Sequence, residues 1–222
     1  MDDSTFTQTA RLPQFFPHLI FDLSEVLLPG LFGVEKDLSE KLDRSEDEIL
    51  RAFEAPPYHG HSRRFHRWMT GKLSFDGFRD EVLNTLLLPH SMGPLLQETC
   101  RECFSPPYPH TLPLLHSLKK HHRLFLISDH MEPFVKELEE EYDFLHLFER
   151  RIWSCQVEAT KSEGSPFRFL LEVERLSPEE CLFIDDHPPN LHIASGLGMK
   201  TYHFTGSNCL DDLEATIKAF QK

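Results

Sequence analysis

Five short apolar runs punctuate a largely polar chain: HLIFDL at about 18–23, RLFLIS at 123–128, RRIWSC at 150–155, CLFIDD at 181–186 and KTYHF at 200–204. Each is rich in Ile, Leu, Val or Phe and is bounded by polar or turn residues, which predicts buried β-strands. Between the later runs the period becomes helical, in TLPLLHSLKKH before the second, MEPFVKELEEEY after it, PFRFLLEVERL after the third and PNLHIASGLG after the fourth. Strand and helix thus alternate from about 105 to the end, the pattern of a parallel sheet with right-handed crossovers. The stretch after the first strand differs, holding only helix-like segments: VEKDLSEKL, EDEILRAFE, SRRFHRWMTG, SFDGFRDEVLNTLLL and MGPLLQETCRECF. So long a helical interruption inside a sheet predicts an inserted cap at 31–104, with an α/β core formed by 17–30 and 105–222. LLPG, ending at Gly30, marks the departure to the cap, and the Pro-rich SPPYPH at 105–110 marks the return. Residues 1–16 read as a leader.

Composition narrows the function. At 222 residues, 40% of them hydrophobic and 19 of them Phe, the chain has enough apolar mass for a packed core without covalent staples. The formal charge of -13 argues against nucleic acid, which is held chiefly by Lys and Arg. It leaves room for a small phosphorylated ligand, because one metal and one Lys invert the field locally. The five Cys form no paired metal pattern, and the single CxxC at Cys100 and Cys103 lacks a second pair, so reduced thiols are expected. The N-terminus has no basic start followed by an apolar stretch, and no apolar run approaches the ~20 residues a membrane span requires. These features predict a soluble cytoplasmic protein without a membrane partner, as a monomer or homodimer.

The predicted strands end in chemically useful residues. Asp22 closes the first, Ser128 the second, Lys161 follows the third, and Asp185 and Asp186 close the fourth. In a parallel α/β sheet the carboxyl ends of the strands converge on one crevice, so these distant residues share a site. A carboxylate at the end of a core strand is costly to desolvate unless something uses it, although Asp22 alone also suits a loop cap. Two adjacent carboxylates repel, and hard oxygen ligands are what Mg²⁺ takes; the plain reading of Asp185 and Asp186 is a solvated loop end. Ser at a strand end and Lys in a loop are each common without function.

FDLSEVL, LFLISDH, TKSEGSPFRFLLE and CLFIDDHPPNLHIASGLGMKTYHF resemble, in order and spacing, the four motifs of the haloacid dehalogenase superfamily of hydrolases, over roughly 17–205. The likeness is closest to the subgroup with a helical cap after the first strand, which includes the phosphatase-type domain of soluble epoxide hydrolases. The resemblance implies a Rossmann-like core and a Mg²⁺-dependent phosphatase acting on a small phosphorylated metabolite. Asp22 would be the nucleophile, forming an aspartyl-phosphate that water hydrolyses. Ser128 and Lys161 would hold the phosphoryl oxygens, with Asp129 beside them in the substrate site. Asp22, the Ser24 carbonyl and Asp186 would bind the metal, with Asp185 one shell out.

Three positions depart from that pattern. Ser24 stands where such phosphatases usually carry a second Asp as general acid, and losing acid–base help typically costs about 10²–10⁴-fold. Glu25 is adjacent, yet successive side chains at a strand end point apart. Asp129 replaces the usual Asn, an extra carboxylate that needs a partner such as His130, and Ser162 replaces the Pro that commonly follows the Lys. The cluster HGHSRRFH at 59–66 reads as a surface group or as a cap contact for a substrate anion, since it lacks a defined tetrahedral ligand set. Two other readings remain: a degenerate member that binds a ligand or partner without turnover, favoured by Ser24 and Asp129, and a 2-haloacid dehalogenase, disfavoured by the retained Asp185–Asp186 pair.

Overall fold

The computed structural model describes residues 16–54 and 63–219. All five predicted strands form: β1 (His18–Phe21), β2 (Arg123–Ser128), β3 (Arg150–Trp153), β4 (Cys181–Asp185) and β5 (Lys200–His203). They make one parallel sheet in the order β3-β2-β1-β4-β5. The pleat explains why these runs are apolar almost throughout. Leu19, Phe21, Leu124, Leu126, Leu182 and Ile184 face one buried cluster, while Ile20, Phe125, Ile127 and Phe183 face the other. Strand order reverses between β1 and β4, the position at which doubly wound sheets open a crevice.

Between β1 and β2 lie α1 (Val34–Leu42), α2 (Glu46–Phe53), α3 (Arg63–Met69), α4 (Phe75–Thr85) and α5 (Gly93–Glu102). Their sequences set their ends and faces. Ser45 and Glu48 form a reciprocal capping box at α2, and the Ser74 hydroxyl caps α4 at Gly77 N. Helix α1 buries Val34, Leu38 and Leu42, one residue per turn, against α2 and α5. The core helices are α6 (Thr111–Leu118), α7 (Phe134–Glu141), the single turn α8 (Ser154–Val157), α9 (Ser165–Glu174), α10 (Pro188–Gly196) and α11 (Leu210–Ala219).

Trp68 fastens the helical insertion to the core. It is fully buried, stacks on Phe78 with centroids 4.0 Å apart, meets Phe134 of α7 edge-on, and donates its indole N–H to Glu132 O at 3.3 Å. Nearby, the Ser154 hydroxyl donates to Met69 O at 2.6 Å and accepts from His130 N at 2.8 Å. Gly71, at φ 69°, passes so close that a Cβ would sit 2.4 Å from the Cys155 carbonyl oxygen. One buried apolar cluster therefore runs from the sheet face into the insertion.

Some boundaries differ from the sequence reading. RRIWSC does not remain extended to 155: Ser154 turns the chain into α8 through its contacts with Met69 and His130. Helix α11 was not anticipated, although Leu213 and Ile217, four residues apart, are buried. Phe16, assigned to the leader, is buried in the core, and the rest of that leader lies outside the described residues. No described helix is long and apolar enough to cross a membrane.

Candidate active site

Strand register brings the predicted residues together. Phe21 pairs with both Leu126 and Ile184, so Asp22, one step further, emerges between the ends of β2 and β4. Its backbone N donates to Ile184 O at 2.9 Å, and its Oδ1 accepts from Leu23 N at 2.7 Å. Lys161 enters from the loop after α8, where Thr160 and Glu163 form a capping box that sets the turn without a proline. Its Nζ lies 2.6 Å from Asp22 Oδ2 and 2.7 Å from Asp185 Oδ2, with all three side chains buried. Asp185 is further engaged at Oδ1 by His187 N at 2.7 Å, and Asn190 Nδ2 stands 3.2 Å from each of its oxygens.

The charges do not balance within this cluster. Burial alone would push the Lys161 ammonium down, but Asp22, Asp185 and Asp129 overcome it and hold Lys161 above its ordinary value. Burial raises the Asp22 carboxyl well above its ordinary value despite Lys161, and burial together with Asp185 raises Asp186. Asp22, Asp185 and Asp186 each offer an oxygen within 4.8 Å of the others. A set of hard oxygen donors in anionic excess over one ammonium fits a divalent cation such as Mg²⁺. At the end of β2 the Ser128 hydroxyl is buried and makes no hydrogen bond among the described residues, a donor that an anion's oxygen would satisfy.

The loop after Asp22 is tightly folded. Leu27 N donates to Leu23 O, Glu25 N donates to Leu28 O, and Glu25 has a left-handed φ of 59°. Ser24 packs so closely on Gly30 that a Cβ on Gly30 would meet Ser24 Cβ at 2.8 Å. Glu25 accepts from Gly30 N at 2.8 Å and from the Tyr108 hydroxyl at 3.0 Å. Beside this loop lies a cavity of about 600 Å³ that has Asp186 in its wall.

Two expectations change. Asp129 is partnered by Lys161 N, at 2.9 Å from Oδ1, and not by His130. His130 is instead enclosed by Phe104 and Trp153, with its Nε2 buried and without a partner. In the HGHSRRFH cluster, His59, His61 and Ser62 lie outside the described residues. Arg64 pairs with Glu81 at 3.0 Å, Arg67 with Glu81 at 3.7 Å, and His66 with Glu163 of the Lys161 loop at 3.8 Å. The Glu25–Tyr108 contact escaped the sequence reading because its partners are 83 positions apart.

Burial pushes the His130 imidazole down to about 3. A pKa below its unfolded value means that the unfolded chain binds the extra proton, so stability is full above about 6.5 and falls as pH drops below it. The expected slope is up to about 1.4 kcal/mol per pH unit. His130→Phe flattens it between pH 6 and 4.5, which urea unfolding at several pH values would read. An unchanged slope would mean that His130 is protonated in the folded protein.

A doubly wound α/β sheet with an acidic cluster at its switch point defines the class, and comparison with known proteins gives the family. The description haloacid dehalogenase-like hydrolase matches residues 16–198, and the chain belongs to that hydrolase family. It is 27% identical over 216 residues to bifunctional epoxide hydrolase 2 of Rattus norvegicus, an alignment covering 82% of this chain but 35% of the rat protein. The chain thus spans about a third of that relative's length. A HAD family enzyme from Bacteroides thetaiotaomicron, solved with magnesium and inorganic phosphate, superposes with a TM-score of 0.76 at 20% identity, covering 89% of this chain and 98% of its own. L-2-haloacid dehalogenase from Xanthobacter autotrophicus superposes with a TM-score of 0.62 at 15% identity, covering 90% of this chain and 83% of its own. At these identities the structures share the Rossmann-like fold.

Proposed function

We propose that the protein is a Mg²⁺-dependent phosphatase of a small phosphorylated metabolite, working through an aspartyl-phosphate on Asp22. The observation that carries this reading is the buried Asp22–Lys161–Asp185 bridge with Asp186 within 4.8 Å. A metal-free attack on carbon has no need of Asp185 and Asp186 together, so the pair favours phosphoryl chemistry over dehalogenation. The Bacteroides enzyme's magnesium and phosphate lend the same support.

A bound Mg²⁺, held by Asp22, the Ser24 carbonyl and Asp186, would supply positive charge between the attacking carboxylate and the phosphate it approaches. Ser128 and Lys161 would donate to the phosphoryl oxygens as charge develops on them, which makes catalysis chiefly positioning and electrostatics. An Asp22 oxygen bonds to phosphorus as the ester P–O bond breaks. Water then attacks that phosphorus, releasing inorganic phosphate and restoring the carboxylate. Asp129, through Lys161 N, holds the loop that delivers the ammonium. The inserted helices at 31–104 would act as the cap over a core of 17–30 and 105–222. The free cysteines suit a reducing cytoplasm, with the protein a monomer or homodimer.

The carboxylate roles are separable. Asp185 is already saturated by Lys161, His187 N and Asn190, whereas Asp186 faces the cavity. Asp186→Ala should therefore abolish both Mg²⁺ binding and phosphate release, and Asp185→Asn should lower Mg²⁺ affinity by about 10–100-fold. Mg²⁺ titration by calorimetry, beside phosphate release from an aryl phosphate, reads both. The opposite order of severity would exchange the two roles.

A further inference from the structure

The cavity beside the cluster has a composition that selects a leaving group. Its volume, about 600 Å³, suits one small organic molecule. Phe32, Tyr108, His110, His203 and Phe204 give it an aromatic lining, and no Lys or Arg is among the described residues that line it. Among the described lining residues the carboxyl groups are those of Glu25 and Asp186, so a second anionic group on a ligand would be repelled. Phe32 leaves its ring 93% exposed at this site, apolar surface that a bound ring would cover.

The same lining is poor in available acids. Tyr108 directs its hydroxyl proton to Glu25, and burial pushes its phenol up to about 12. Glu25 accepts at both oxygens, from Gly30 N and from Tyr108. His110 Nε2 lies 2.9 Å from Val26 O and His203 Nε2 lies 3.0 Å from Asp186 O, contacts in which a nitrogen must donate. The Nε2–H of each of these rings is thus engaged by a backbone carbonyl.

We infer that the cavity is the leaving-group subsite of an aryl phosphate monoester, whose phenolate stacks against its rings and departs without being protonated by the protein. The inference rests on the phosphatase reading and deepens it. An aryl oxygen leaves as a stabilised anion as its P–O bond to phosphorus breaks and the bond from Asp22 forms. The phenolate takes its proton from solvent after release. Specificity would then be set by Phe32 at the start of the insertion, by Tyr108 in the linker that returns from it, and by the loop after β5.

Binding and turnover test different parts. Phenylphosphonate, methylphosphonate and 4-carboxyphenylphosphonate, which are not hydrolysed, would be titrated calorimetrically into the Mg²⁺-loaded protein. Phenylphosphonate should bind at least tenfold tighter than methylphosphonate, and the carboxylated probe about tenfold weaker than phenylphosphonate. Phe32→Ala should lower the phenyl-to-methyl affinity ratio about tenfold. Equal affinity for the phenyl and methyl probes, or a ratio that Phe32→Ala does not move, would overturn the subsite. In parallel, phenyl phosphate should be hydrolysed at least 10²-fold faster than benzyl phosphate, whose alcohol needs a proton to leave. Turnover of both esters at similar rates would overturn the unprotonated departure and leave the phosphatase reading standing. Selective phenylphosphonate binding with no turnover of any ester would uphold the subsite and overturn the phosphatase reading.

Discussion

Asp22→Asn is expected to lower phosphate release by at least ~10⁴-fold while the protein stays folded. The amide keeps the shape of the carboxylate and can still accept from Leu23 N, but it has no charge with which to attack phosphorus. Folding should be little affected, because the substitution leaves Lys161 paired with Asp185 at 2.7 Å. It also removes a carboxyl that burial already disfavours in its charged form. Phosphate release under single-turnover conditions and urea unfolding would be read together. Activity within tenfold of the native protein would remove Asp22 from the nucleophile's role.

Lys161→Met should be the most destabilising change in the site. The ammonium is the only cation touching Asp22 and Asp185 among the described residues, and all three side chains are buried. Removing one partner of a buried ionic group leaves uncompensated charge, a loss of about 3–5 kcal/mol. Without the ammonium, the Asp22 carboxyl, already raised by burial, rises further above its unfolded value. The deficit is then largest at neutral pH and shrinks as pH falls toward about 4, where the unfolded carboxyls protonate. Mg²⁺ should stabilise this variant more than the native protein, because the cation then neutralises charge that Lys161 no longer meets. Thermal unfolding at pH 7 and 5, with and without Mg²⁺, would measure both effects. A loss under 1 kcal/mol that is independent of pH would mean that the carboxyls are not ionised in the folded protein.

Much of this was legible in the chain because local and global signals agree. The apolar runs are short and almost uninterrupted because both sheet faces are covered, and three of them end in or just before a residue named for the site, Asp22, Ser128 and Asp185. Asp22, Ser128, Lys161 and Asp185 were named from those endings, and the structure brings Asp22, Lys161 and Asp185 into direct contact. What stayed hidden depends on contacts between distant segments. The partner of Asp129 is a backbone N–H 32 positions away, which composition cannot reveal, and His130 is enclosed by rings from two other segments. Ser24 was read as a missing acid. Only the fold shows that it packs on Gly30 while Glu25 is drawn aside to Tyr108. RRIWSC reads as strand to its end, but Ser154 bonds to the insertion and bends the chain.

The central claim is that Asp22 carries the phosphoryl group. Native protein and Asp22→Asn would be mixed with excess phenyl phosphate, with Mg²⁺ or with a chelator, quenched in acid within one turnover, and digested for mass spectrometry. The account predicts that the peptide containing Asp22 gains the mass of one phosphoryl group in the native protein with Mg²⁺, and in neither of the other samples. Rapid phosphate release with no phosphorylated Asp22 peptide at any quench time, or no phosphate release with Mg²⁺ bound, would contradict it.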